Sequence, residues 1–324
     1  MAVTLKKIAE RAGVSVMAVS AVLNNTHSTR VSETTRQKVL AIAAELDYVP
    51  NISARALVGK RANLVGCLMR DGLEKSYWDE ILSGIDRILS KHNIHLVLAV
   101  SYGDTSEEIR NFRFLKSKGI DGCFWVPSIS NDQENNFEKI RAYAKKMPIV
   151  SLNCLIDDVT SVAVDEKSGG EQAAEHFYAM GHRKVIADIN IHPIYSRNYY
   201  FTEHCKKLGI EVINCDFRKD LFHNLNSVPA IFCQSDLLAI QIYRYAAKHG
   251  IRIPEDLSVI GYNNMDFAQD LTPSLTTVNQ QKMELGKIAG TIMLQQFTGD
   301  KTVQHRLLAP QLIVRESVKN LNIK

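Results

Sequence analysis

The side chains best placed to do chemistry lie near the start of the chain, and that chemistry is recognition rather than bond making. Ser15, Val16, Met17, Ser20, Ala21 and Asn24 fall on a stretch whose other face, Val19, Val22 and Leu23, repeats at helical spacing. Val16 and Met17 offer apolar surface of the kind that packs on thymine methyls, while Ser15, Ser20 and Asn24 can bind phosphates or base edges. Catalytic constellations do not emerge: there is no Gly-x-Ser-x-Gly elbow, Walker loop, His-Glu-x-x-His or Gly-x-Gly-x-x-Gly. His92 and His95 stand three apart with no third ligand in view. Six cysteines (Cys67, Cys123, Cys154, Cys205, Cys215, Cys233) have no Cys-x-x-Cys spacing and read as reduced, mostly buried thiols. The expectation is a protein that is not an enzyme and needs no cofactor or metal.

The elements that must hold those reading residues are legible. Thr4–Ala12 places Leu5, Ile8 and Ala9 on one helical face, with Thr4 as N-cap. Gly13 lets the chain turn, and Ser15 caps a second helix running to about Asn24. A third helix starts at its cap Ser32, turns Val39, Ile42, Ala43 and Leu46 inward, and stops at Tyr48-Val49-Pro50. Small Ala9, turning Gly13 and aliphatic Val19 are what two closely crossing helices of a helix-turn-helix need. Charge agrees. The chain has 324 residues and a formal charge of +4. Residues 1–60 hold eight basic and four acidic side chains, so the whole excess sits there and suggests a polyanion partner for that part alone.

Val3–Ser15, Ala18–Ser20, Val22–Asn24, Val31–Arg36 and Leu46–Asn51 resemble the headpiece of the LacI/GalR family of bacterial transcription regulators. The resemblance implies that residues 1–50 form a helix-turn-helix headpiece binding double-stranded DNA at a pseudo-palindromic operator. Thr4, Leu5, Ser32, Thr35, Tyr48 and Asn51 join the reading residues in the set expected to face DNA. The family usually has Thr-Val-Ser-Arg where this chain has Ala18-Val19-Ser20-Ala21, and the missing guanidinium removes or relocates about 1–3 kcal/mol of base discrimination. Residues 51–60 are expected to be a hinge helix or linker, too short to be stable alone. There the resemblance implies that Leu57 wedges into the minor groove, with Ala54 allowing close approach and Arg55 neutralising phosphate.

From Asn63, apolar runs read as buried strands (64–69, 94–100, 122–126, 148–152, 161–164, 184–189, 230–233 and 257–262). They alternate with helical stretches (77–92, 106–118, 137–146, 166–180, 199–208 and 236–249), an α/β pattern with largely parallel sheets. Gly119–Gly122, Met180–Val185, Ile253–Tyr262, Pro273–Val278 and Leu312–Ser317 again resemble the family. They imply that 61–324 is a two-lobed, type I periplasmic-binding-protein-like effector and dimerisation domain. The resemblance maps effector contacts onto Tyr77, Trp78, Asn153, Arg197, Ser235, Asp236 and Asn263, whereas Trp125 reads as core. Two customary carboxylates appear as amides at Asn153 and Asn263. With Arg197 retained, the expected effector is a small carbohydrate-like molecule, either weakly hydroxyl-dependent or itself anionic, such as a sugar phosphate or sugar acid.

Composition is ordinary for a globular chain, with 45% hydrophobic residues, 17 Gly and 8 Pro. No apolar run approaches the ~18 residues of a membrane span, and the N-terminus does not read as a secretory signal. The expectation is a cytoplasmic, nucleoid-associated homodimer acting as a repressor, with no membrane partner. The alternative keeps the DNA-binding role but has the body respond to a protein partner or to no small ligand.

Overall fold

Thr4 starts the first helix by accepting a hydrogen bond from the Lys7 amide at 3.4 Å, and Gly13 ends it at φ +71° by donating to the Ala9 carbonyl. The computed structural model describes residues 3–23, 31–48, 61–72, 77–128, 135–188, 197–217, 225 and 228–323. The hinge 51–60, with Asn51, Ala54, Arg55 and Leu57, lies outside the described residues, as does Asn24. The chain divides into two units, Met1–Ala62 and Asn63–Lys324.

The first unit packs α1 (Leu5–Ala12), α2 (Val16–Leu23) and α3 (Glu33–Glu45). Ser15 Oγ accepts from the Ala18 amide at 3.1 Å and Ser32 Oγ from the Thr35 amide at 3.2 Å, so each later helix has the predicted cap. Ile8, Val19 and Val39 are fully buried at the centre. Each contributes about 1.5–3 kcal/mol through the apolar surface it hides. Arg11 of α1 pairs with Glu45 of α3.

The second unit holds two six-stranded sheets, each the centre of a lobe. The chain lays down β1 (Leu64–Met69), α4 (Trp78–Leu89), β2 (His95–Val100), α5 (Thr105–Ser117), β3 (Gly122–Trp125), α6 (Phe137–Ala144), β4 (Ile149–Leu152) and β5 (Thr160–Val164) in the first lobe. It crosses to the second for α7 (Glu166–Ala179), β6 (Lys184–Asp188), α8 (Arg197–Lys207), β7 (Glu211–Cys215), β8 (Ala230–Phe232), α9 (Asp236–His249), β9 (Ser258–Tyr262) and β10 (Thr276–Asn279). It returns for α10 (Lys282–Phe297) and β11 (His305–Leu308), then crosses again to β12 (Gln311–Ile313). Strand orders are β11-β5-β4-β3-β1-β2 and β12-β10-β9-β8-β6-β7. All pairings are parallel except β12, which runs antiparallel to β10 with Thr277 opposite Ile313. Strands β3, β4, β5 and β9 are buried at every residue. Helices cover both faces of such a sheet, so these strands read as unbroken apolar runs.

Some elements go beyond what apolar patterning announces. Strand β7 is a sheet edge with exposed Glu211 and Asn214, so only part of it needs to be apolar. Helix α10 carries Gly286 and Gly290, each of which lowers intrinsic helix stability by about 1 kcal/mol relative to Ala. The glycines are there for packing. A Cβ on Gly286 would sit 2.1 Å from the Ile81 carbonyl oxygen, and one on Gly84 of α4 would sit 2.3 Å from that of Met283. The two helices therefore cross almost backbone to backbone beneath the first sheet, burying Leu285, Ala289, Ile292 and Met293.

Candidate functional site

On the headpiece, the start of α2 presents Met17 at 73% exposure and Val16 at 44%, with Ser15 exposed beside them and Ser20 half-buried. Ala21 departs from expectation. It is only 6% exposed, because a lone methyl does not project past the longer side chains around it, so it is packing rather than part of the reading face. Thr4 and Ser32 are exposed caps, and Ser32 Oγ also lies 2.8 Å from Thr35 Oγ1. Leu5 and Tyr48 are half-buried against the helical core, and burial raises the Tyr48 phenol above its usual value. The face expected to read DNA thus presents two apolar side chains flanked by hydroxyls, with Lys6, Lys7 and Lys38 exposed around the unit.

In the second unit, a cavity of about 330 Å³ opens between the lobes. Arg70, Asp71, Tyr77 and Trp78 line it from the first lobe, and Arg197, Gln234, Ser235, Leu237 and Asn263 from the second. Arg70 follows β1, Gln234 and Ser235 follow β8, and Asn263 follows β9. The cavity therefore lies beyond the strands' carboxyl ends, where open parallel sheets bind ligands. A second cavity of about 290 Å³ lies at the opposite, amino-terminal ends of β4 and β5, beside Lys145, Lys146 and Lys301. It lacks that topological position.

Two guanidiniums dominate the interlobe cavity, and both are paired. Arg70 Nη2 donates to Asp71 Oδ2 at 2.8 Å. Arg197, 6% exposed, donates through Nη2 to Glu166 Oε1 at 2.7 Å and through Nη1 to the Gln234 carbonyl at 3.1 Å and Asn263 Oδ1 at 3.2 Å. Its guanidinium lies 4.0 Å from the centre of the Tyr262 ring. Gln280 Nε2 donates to the same Glu166 oxygen at 3.0 Å. Burial pushes the Glu166 carboxyl up, and the Arg197 charge and hydrogen bond pull it back down.

Tyr77 and Trp78 meet edge to face with ring centres 5.0 Å apart. Trp78 is 1% exposed, so most of the indole belongs to the lobe's core and only an edge serves the cavity. Asn153 is not among the lining residues; its Nδ2 donates to the Tyr77 hydroxyl at 2.6 Å. Ser235 lines the cavity and caps α9, accepting from the Leu238 amide at 3.3 Å. Asp236 does not line it. Its carboxylate is fully buried, accepting from the Met265 amide at 2.7 Å and the Thr277 hydroxyl at 2.6 Å. The mapped carboxylate thus locks the β9–β10 region instead of greeting a ligand.

Glu166, Arg70, Asp71, Gln234 and Leu237 were not among the predicted contacts. Arg70 and Asp71 carry a usable signal, since they directly follow a buried strand at its carboxyl end. Trp125 is core as expected, with Nε1 donating to buried Glu108 at 2.9 Å. Five cysteines are buried and Cys154 is partly so; burial raises Cys67 and Cys205 to about 12 and Cys154 to about 11. Such thiols are poor nucleophiles. Among the described residues no helix is long and apolar enough to cross a membrane.

Comparison with known proteins adds the family. Residues 4–51 match the lacI family of bacterial regulatory proteins, and residues 174–318 match a periplasmic binding protein-like domain. The transcriptional repressor PurR of Pectobacterium atrosepticum is 30% identical over 337 residues, spanning 97% of this chain and 96% of that protein. The chain belongs to the LacI family. Proteins of known structure share its fold. The lac repressor dimer bound to operator and the anti-inducer ONPF matches with a TM-score of 0.82 at 24% identity, covering 98% of this chain and all of that one. The complex of the transcriptional regulator CelR with cellobiose matches with a TM-score of 0.68 at 27% identity, covering 97% and 99%. As a LacI-family member, the protein is a DNA-binding transcriptional regulator.

Proposed function

We propose that this regulator is a repressor, acting as a homodimer on a pseudo-palindromic operator, and that a small uncharged polyol or sugar in the interlobe cavity sets its operator affinity. Two headpieces would read successive major grooves through Val16 and Met17 while paired Leu57 side chains unstack the central base step. The observation that carries the effector reading is the cavity between the lobes. It has ring edges from Tyr77 and Trp78 and neutral polar groups from Gln234, Ser235 and Asn263, a lining suited to hydroxyls. A neutral effector is favoured over an anionic one, because the Arg197 guanidinium already faces a carboxylate. The resemblance to the cellobiose complex supports the same class of ligand.

A ligand that fits the two lobes differently when they close shifts the population of lobe arrangements, and with it the DNA-binding form. The test is to select an operator from a random DNA pool and measure its affinity with and without a panel of neutral sugars. At least one sugar should raise the melting temperature and change operator affinity. If no neutral sugar does either, the effector reading fails, and a body that answers to a protein partner takes its place.

A further inference from the structure

The second lobe contains a charge arrangement that the mapping of effector contacts does not use. Arg197 sits at the back of the interlobe cavity, and its positive charge is met by a carboxylate from a different element. Glu166 is the first residue of α7, directly after the first crossing between lobes, and its Oε1 is 2.7 Å from Arg197 Nη2. Gln280, at the second crossing, donates to that same oxygen at 3.0 Å. The side chains of Arg197 and Glu166 are 7% and 15% exposed, so little water screens the pair.

We propose that Glu166 is the specificity residue of this cleft, holding Arg197 neutralised so that the cavity accepts uncharged hydroxyl ligands and rejects anions. The inference rests on the effector reading above and adds the residue that sets the ligand's charge. An unpaired buried guanidinium would attract phosphate or carboxylate through charge-assisted, bidentate hydrogen bonds. Here an incoming anion would place a second negative charge against one guanidinium, or expel Glu166 into a site where its charge is buried and unpaired. A neutral ligand faces neither obstacle and finds the Asn263 side chain already oriented by Arg197 and that of Gln234 by Asp188. The other cavity guanidinium, Arg70, is compensated in the same way by Asp71, so releasing Arg197 alone should change the cavity's preference.

Glu166→Gln tests this in the full-length protein. The amide keeps the size and can still accept from Arg197, so the substitution removes charge and little else. Binding of inorganic phosphate and D-glucuronate, with D-glucose as the neutral partner of the latter, is measured by calorimetry and thermal shift at constant ionic strength. The wild type should show no saturable phosphate or glucuronate site dependent on Arg197. Glu166→Gln should gain one at least tenfold tighter, and the double variant Glu166→Gln with Arg197→Gln should lose it. If Glu166→Gln does not fold, Glu166→Asn and Glu166→Ala make the same comparison. Anion binding equal in wild type and variant, or a gain that survives removal of Arg197, would overturn the proposal. Inorganic phosphate needs no sugar site, so a protein that responds to no sugar would sink the effector reading and leave this comparison intact. Conversely, a sugar response with no gain of anion binding would sink only the role of Glu166.

Discussion

Met17 is the most exposed apolar side chain of α2, at 73%, two residues from fully buried Val19 and so on the opposite face of the helix. Its apolar surface gains free energy when a partner covers it, and a thymine methyl is such a partner. Met17→Ala should therefore weaken operator binding about tenfold, on the order of one good base contact. Binding to random DNA, which rests on phosphate contacts, should stay unchanged in a salt titration. Asp236 makes a second residue-scale case. Burial pushes its carboxyl up from 3.8 to about 6, against the opposing bonds from Thr277 and Met265. The folded state thus holds the proton more tightly than the unfolded chain. Stability linked to Asp236 is present below pH 4 and is lost as pH rises through about 6. Any advantage of wild type over Asp236→Asn in melting temperature should be largest near pH 4 and shrink toward pH 7. The sequence identifies Asp236 as a conspicuous acid but not the direction it points, because burial is decided by β9 and β10 packing from elsewhere in the chain. Ala21 is the same lesson in reverse, since periodicity gives an angle on the helix and not the reach of one methyl.

The headpiece helices are legible because their ends follow local chemistry. Thr4, Ser15 and Ser32 cap through their own hydroxyls, and Gly13 adopts the left-handed conformation that ends α1. Helix α10 is the opposite case. Its glycines argue against a helix locally, yet Gly286 meets Ile81 and Gly84 meets Met283 at distances that admit no side chain. Gly286→Ala should improve helix propensity yet destabilise the protein by about 1–3 kcal/mol, the usual cost of overpacking. Chemical denaturation should show a lowered midpoint. A rise in stability would mean that the α4–α10 crossing is looser than the structure has it. Elements positioned by long-range contact, such as edge strand β7 and β12 against β10, leave equally little trace in local pattern.

At the scale of the whole molecule, the charge excess of the first sixty residues and the neutral, ion-paired cavity divide the work. One unit carries the basic excess and the exposed apolar side chains Val16 and Met17. The other carries two parallel sheets joined by three crossings, with Glu166 and Gln280 at two of them bonded to one another next to Arg197. Arg197 of the cavity thus bonds directly to a residue at one crossing, which is itself bonded to a residue at another. The alternation of strand and helix reveals this architecture early. The charge pairing inside the cleft stays hidden, because Glu166 and Arg197 are 31 residues apart and meet only through the fold. The proposed function requires that cavity and DNA-reading surface be energetically coupled. The most direct measurement is fluorescence anisotropy of the selected operator as a function of neutral-sugar concentration, with the same titration on Leu57→Ala. One sugar should change operator affinity at least tenfold in the wild type, and Leu57→Ala should weaken operator binding and flatten that response. A sugar that binds the body while operator affinity stays constant would contradict it.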